Sequence, residues 1–233
     1  MKKKKDNLLI VGASSTAKQA YEFIKEYDLY EVIGFAVDSE YRSDSDFCGL
    51  PLYELDKIED IFDMRKIKVF IAILWNRLNA ERRKIYERLK EKGYQFANLI
   101  SPSAKIRGKI KGGNCWIHDY VIIQLGSEIG EDCMIMAFSL IGAFSKIGSH
   151  CFLGTKSTVA GECEVGGQTF IGMNCTVFDN TRVGEKCILG ACTAVKRDLE
   201  NYTLVKTQTS TNIFEKLDKE VIENKLLFSL NIR

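Results

Sequence analysis

From Ile117 to Val195 an aliphatic residue returns every sixth position without a slip: Ile117, Ile123, Ile129, Ile135, Ile141, Ile147, Leu153, Val159, Val165, Ile171, Val177, Val183, Leu189 and Val195. Two residues before each stands a small residue, such as Cys115, Ser127, Cys133, Ser139 or Thr169, with Val121 the one exception. Residues two apart on a strand point the same way, so both members of each pair are expected to face inward. Glycine follows the aliphatic residue at eight of these fourteen sites. There it is expected to supply the sharp, often positive-φ turn that ends a short strand. A hexapeptide period predicts a parallel β-helix, in which three successive hexapeptides form the three faces of one coil. An α-helical period near 3.6 is not kept.

Before the repeat the pattern changes. Apolar runs at 7–12, 31–38, 69–73 and 96–100 predict strands, and helical periodicity predicts helices over 17–27, 55–62 and 78–92. Strands alternating with helices imply a small parallel sheet. The predicted fold is therefore an α/β domain over residues 1–100, Rossmann-like but only one mononucleotide half long, followed by an all-β parallel β-helix over 101–206. Ser101-Pro102-Ser103-Ala104 forms the hinge. A tail follows over 207–233, where Asn212 and Glu215 form a capping box opening a helix to about residue 226.

Composition removes several function classes. A net charge of +2 gives no reason to expect a nucleic-acid partner. The lysines at 2–5 read as a solvated tail, and no apolar run is long enough for membrane insertion or shaped like a signal peptide. A cytoplasmic protein is expected. Of eight cysteines, six fall in the small inward slot of the repeat, where cysteine acts as a small buried hydrophobe. Only Cys48 and Cys192 fall elsewhere, no CxxC pair exists, and the chain has two histidines, so no metal site is expected.

The first strand runs into Gly12-Ala13-Ser14-Ser15 at the start of a helix. That arrangement sets a phosphate at a helix N-terminus, with the Ser14 and Ser15 hydroxyls as added donors. Asp38, closing the second strand, suits a ribose or sugar hydroxyl. The further glycines of a dinucleotide fingerprint are absent, which disfavours a full NAD site. A purely structural α/β module is the alternative.

Taken together, Ile10-Val11-Gly12-Ala13-Ser14-Ser15, Phe70-Ile71-Ala72-Ile73, Asn98-Leu99-Ile100 and the unbroken repeat resemble the sugar acyltransferases of the sialic acid O-acetyltransferase and bacillosamine-pathway N-acetyltransferase type, over roughly residues 7–200. The resemblance implies a left-handed β-helix and a homotrimer. It also implies acyl-CoA (acetyl-CoA or another) as co-substrate in clefts between neighbouring β-helices, with a nucleotide-linked amino sugar held by the N-terminal domain for surface glycan biosynthesis. Gly12, Ser14 and Asp38 then fall on nucleotide-sugar positions, the Gly161 amide where the thioester carbonyl is steadied, and Gly172 and Gly190 along the CoA cleft.

One departure is decisive for mechanism. The family's general base is a histidine followed by a glutamate, two residues after an inward aliphatic; here those positions are Ala143 and Phe144. A second family histidine lands on Phe152, and the Gly-x-Pro-Ala-Lys near the CoA adenine is replaced by Leu204-Val205-Lys206-Thr207-Gln208. An amine held neutral needs no base, since positioning alone contributes about 7–11 kcal/mol, against about 10²–10⁴-fold for general-base catalysis. This favours N- over O-acylation. Alternatively another residue serves. Asp132 and His150, 18 apart and so stacked on adjacent coils, are the best pair, ahead of His118-Asp119 and Glu162. A sialic-acid-type O-acetyltransferase and a non-catalytic ligand-binding trimer are the other readings, and Phe144 with Phe152 would suit an acyl group less polar than acetyl.

Overall fold

The computed structural model describes residues 5–74 and 77–207; the helix expected in the tail lies outside them. The N-terminal sheet contains β1 (Asn7–Val11), β2 (Glu31–Val37), β3 (Asp46–Phe47), β4 (Leu50–Glu54), β5 (Ile67–Ile71) and β6 (Gln95–Phe96), in the order β3-β4-β2-β1-β5-β6. All its pairings are parallel except the β3–β4 hairpin. Its helices are α1 (Ser15–Glu26), α2 (Ile58–Ile61) and α3 (Ala80–Glu91). Central β1 is buried on both faces, as its unbroken apolar run requires. Leu8 and Ile10 pack with Phe23 and Ile24 of α1, whereas Leu9 and Val11 pack with Tyr86 and Leu89 of α3.

The strand expected over 96–100 divides. Gln95–Phe96 closes the N-terminal sheet, while Leu99–Ile100 already pairs with Trp116–Ile117 of the β-helix. From there three parallel sheets wind into a left-handed β-helix. The first face carries Trp116–Ile117, Met134–Ile135 and Phe152–Leu153, the second Ile122–Ile123 and Leu140–Ile141, the third Glu128–Ile129 and Lys146–Ile147. Each short strand pairs with its equivalent on the next coil. The repeating aliphatic residues fill one axial core.

Two details correct the sequence reading. The glycines after the aliphatic residues do not have positive φ; that conformation falls on Asp132, Phe138, Phe144, His150, Lys156, Glu162 and their equivalents along the repeat. These glycines serve close stacking instead. A Cβ on Gly142 would lie 2.4 Å from the Ala160 carbonyl carbon, and one on Gly172 would lie 2.6 Å from the Ala191 nitrogen. Left-handed conformations cost energy for residues other than glycine. Each is anchored by a hydrogen bond that its N–H donates to the coil below, as with Phe144 N–H to Leu125 O (3.0 Å) and His150 N–H to Glu131 O (2.9 Å).

The small inward residues are also more than hydrophobes. Cys133 Sγ donates to Gly148 O (3.2 Å), Ser139 Oγ to Gly154 O (2.9 Å) and Thr169 Oγ1 to Gly184 O (3.0 Å). Each satisfies a corner carbonyl that the strand ladder leaves open. Cys, Ser and Thr share the slot because all three are small and can donate.

The three outer faces differ. The N-terminal domain covers the first face, where Trp116, Met134 and Phe152 join the α1 core. Phe152 stacks on Phe170 at 5.2 Å in that junction, so it is packing and not part of an open acyl pocket. The third face is a ladder of alternating charge, with Lys111–Glu128 at 2.6 Å, Lys146–Glu164 at 3.4 Å and Arg182–Glu164 at 3.7 Å. The second presents Lys105 on its first strand and then Ile122, Leu140, Thr158, Thr176 and Ala194 outward, and these last five carry no charge.

Candidate active site

The carboxyl ends of β1, β2 and β5 open into a cavity of about 390 Å³ lined by Gly12, Ser14, Asp38, Tyr41, Leu55, Ile73 and Ile85. Strand order reverses here: β2 and β4 lie to one side of β1, β5 to the other. Such crevices are where open α/β sheets take ligands. Gly12 turns at φ +129°, and a Cβ on it would lie 2.9 Å from the Ala72 carbonyl oxygen. The structure therefore brings Gly12, Ser14 and Asp38 together. Ser15, the first residue of α1, lines a different groove, with Lys18, Trp116 and His118.

The sequence reading missed the basic residues beside this cavity. Arg88 of α3 donates to Asp38 Oδ1 at 2.6 Å, and Arg77, Lys84 and Arg88 line an adjoining cavity of about 480 Å³ together with Asp38, Glu40 and Glu81. Cations placed there suit phosphate oxygens. In sequence Lys84 and Arg88 read as ordinary charges on a solvated helix, with Arg77 just before it, and only the fold sets them at the strand ends.

Asp132 and His150 meet as their spacing implies, with Nδ1 to Oδ2 at 2.8 Å. Their surroundings correct the general-base expectation. Asp132 is fully buried and His150 is 7% exposed, beneath the N-terminal end of α3. Arg82 Nε lies 3.0 Å from Asp132 Oδ1, Asn114 Nδ2 donates to the same oxygen at 2.6 Å, and Asn79 Nδ2 donates to the His150 carbonyl at 2.6 Å. A base must reach its substrate, and this pair is sealed inside the domain junction. His118 is no better placed. It stacks on Trp116 at 4.6 Å, and burial holds its pKa down to about 4.

Ala143 and Gly161 lie one above the other on the corner between the second and third faces. Their amides point out of the strand ladder and are capped by side chains: Ala143 N–H by Gln124 Oε1 (3.0 Å), Gly161 N–H by Asp179 Oδ1 (2.9 Å). Phe144 beside them is 64% exposed. Glu162 sits at the left-handed position one coil above Phe144. Gly172 and Gly190 lie on a different corner, between the first and second faces, and their amides bond Leu189 O (2.7 Å) and Val205 O (2.8 Å) of the next coil.

The bacterial transferase hexapeptide family (six repeats) matches residues 126–161. No curated protein matches the sequence. Among solved structures, a histidine-to-alanine variant of GDP-perosamine N-acetyltransferase from Caulobacter crescentus, in complex with CoA and GDP-perosamine, shares the fold with a TM-score of 0.74 at 26% identity, over 85% of this chain and 92% of that one. The chain resembles the hexapeptide-repeat sugar acyltransferases. Two more distant structures share the fold: the acetyltransferase domain of PglB from Neisseria gonorrhoeae FA1090 in complex with acetyl coenzyme A (TM-score 0.74, 17% identity, 86% and 95% of the two chains) and WeeI from Acinetobacter baumannii AYE (0.65, 16%, 84% and 94%). The likeness to these structures covers 84–86% of the chain, more than the β-helix alone. Among the described residues no group of histidines, cysteines and carboxylates is placed to hold a metal, and no helix is long and apolar enough to cross a membrane.

Proposed function

We propose that this chain is an acyl-CoA-dependent N-acyltransferase acting on a nucleotide-linked amino sugar, and that it works as a homotrimer in surface glycan biosynthesis. The observation that carries the reading is the cavity at the strand-order switch, where Gly12, Ser14 and Asp38 adjoin Arg77, Lys84 and Arg88. A close backbone approach, a carboxylate for hydroxyls and cations for a diphosphate suit a nucleotide sugar. The bound CoA and GDP-perosamine of the Caulobacter enzyme support the same substrate classes.

The trimer is supported by the second face, whose outward strand residues from Ile122 to Ala194 carry no charge. It is flanked by exposed Tyr120, Phe138 and Met173 on one corner and by Leu125, Phe144 and Phe178 on the other. Exposed apolar surface of this extent marks an association site. Three copies closed around this face set the corner bearing Gly172 and Gly190 against the next copy's corner bearing Ala143 and Gly161. The acyl donor then occupies the cleft between copies, with its thioester near the Gly161 amide.

An amine is the favoured acceptor because Ala143 supplies no imidazole. A hydroxyl must lose its proton to attack, whereas a neutral amine is already nucleophilic. Mass spectrometry of mixtures with acetyl-CoA, longer acyl-CoAs and UDP-, dTDP- and GDP-linked amino sugars tests this. An amide on an amino sugar is expected. An ester on a hydroxyl sugar would transfer the reading to O-acylation, and binding without any product would favour a non-catalytic trimer.

A further inference from the structure

Among the corner amides near Ala143, that of Gly161 is capped by an acidic side chain. Its N–H donates to Asp179 Oδ1 at 2.9 Å, whereas the Ala143 N–H donates to the neutral amide oxygen of Gln124. Both bonds lie on exposed surface. Gly161 also differs from the glycines that follow the aliphatic positions. A Cβ on it would meet only Asp179 Oδ1 at 3.2 Å and Ala143 O at 3.5 Å, so coil stacking does not exclude a side chain, and its φ is not positive.

We propose that Asp179 is the catalytic proton acceptor that this chain uses in place of the absent imidazole. The assignment rests on the acyl-transfer reading above and on the Gly161 amide as the thioester's partner. One N–H cannot serve a carboxylate and a thioester carbonyl equally well, so donor binding displaces Asp179 from Gly161 while leaving it beside the reacting carbon. The neighbouring acid Glu162 does not make the bond to Gly161.

The step balances. The neutral amine attacks the thioester carbon; a C–N bond forms and the carbonyl electron pair moves onto oxygen, facing the Gly161 N–H. The attacking nitrogen becomes strongly acidic and passes its proton to the Asp179 carboxylate. Collapse restores the carbonyl and breaks the C–S bond, the thiolate takes the proton from Asp179, and the carboxylate returns to the Gly161 amide. The products are the amide and free CoA thiol.

Asp179→Asn keeps an oxygen for the Gly161 N–H but cannot accept the proton; Asp179→Ala frees the amide. The test is steady-state turnover with the donor and acceptor identified for the wild-type protein, together with calorimetric binding of acetyl-CoA to all three proteins. We expect Asp179→Asn to lose about 10²–10⁴-fold in kcat with its acetyl-CoA KM within about threefold of wild type. Asp179→Ala should lose a similar factor in kcat while binding acetyl-CoA more tightly than wild type. Wild-type turnover with an unimpaired Asp179→Asn variant overturns the Asp179 assignment alone. Acetyl-CoA affinity unchanged in Asp179→Ala overturns the displacement. A wild-type protein that forms no amide with any pair overturns the acyl-transfer reading, and this inference with it.

Discussion

Arg82 Nε lies 3.0 Å from Asp132 Oδ1, and both side chains are sealed from solvent, one from α3 and the other from a corner of the β-helix. Arg82 also donates to the Asp132 carbonyl. With Tyr86 Oη to Glu131 (2.9 Å) and Arg83 Nη1 to Gln168 (2.6 Å), this locks α3 onto the β-helix. On the opposite corner Tyr27 Oη bonds Asp119 at 2.7 Å.

Breaking that pair leaves a buried carboxylate without its main counter-charge. Arg82→Met is expected to destabilise the chain by about 3–5 kcal/mol, measured by urea unfolding. His150→Asn should cost about 1–3 kcal/mol while kcat stays within about twofold. A large fall in kcat with unchanged stability would restore His150 as a base.

Two glycines on neighbouring coils should behave differently. Gly142→Ala drives a methyl into the Ala160 backbone. It is expected to cost about 1–3 kcal/mol. Gly161→Ala meets only ordinary or slightly tight contacts. It should stay within about 0.5 kcal/mol of wild type. Thermal melts of the two variants check this, and equal losses would contradict it.

Asp38 and its Arg88 partner lie at the cavity proposed for the acceptor. Asp38→Asn should raise the KM for the nucleotide sugar about 10-fold or more, equivalent to about 1.4 kcal/mol, with calorimetric acetyl-CoA affinity unchanged. Equal weakening of both substrates would mean that the cavity is not specific to the acceptor.

His118 predicts a pH effect whose sign follows from linkage. Burial lowers its pKa from 6.5 to about 4, so the unfolded chain binds a proton more readily than the folded one. Its contribution is therefore full above pH 6.5 and is lost as the pH drops towards about 4. One proton can change the folding equilibrium by at most about tenfold per pH unit. His118→Phe should remove this component from the stability–pH curve, and a curve parallel to wild type would contradict it.

Ile122 begins the uncharged strip of the second face and is exposed. Ile122→Lys puts three like charges at the proposed threefold interface, so sedimentation should show a trimer for the wild type and monomers for the variant. A wild-type monomer would remove the cleft in which the acyl donor is proposed to bind.

The β-helix was legible because its core obeys one period, and the Asp132–His150 contact because their separation equals one coil. What escaped the sequence depended on neighbours that the period does not name. Arg82 reaches Asp132 from another domain, and that contact turns an apparent acid–base pair into a buried junction. The period alone suggests a positive-φ turn at the repeat glycines. The three-dimensional stack shows that the coil above excludes a side chain, while Phe144 and His150 adopt the left-handed conformation. In the N-terminal domain the Gly12–Ser14 turn and Asp38 were visible at strand ends, but the convergence of Arg88 with Asp38 depended on how α3 lies across the sheet.

The different dressing of the three faces sets a rule for how this chain can change length. An inserted or deleted hexapeptide preserves the inward alternation, so the axis stays filled. It also rotates everything downstream by one face, setting the charged ladder in line with the uncharged strip. Only a whole coil, three hexapeptides together, keeps both the interior and the three exteriors aligned. The molecule thus carries two unequal units of length, a short one that keeps it folded and one three times longer that keeps its surfaces in working order.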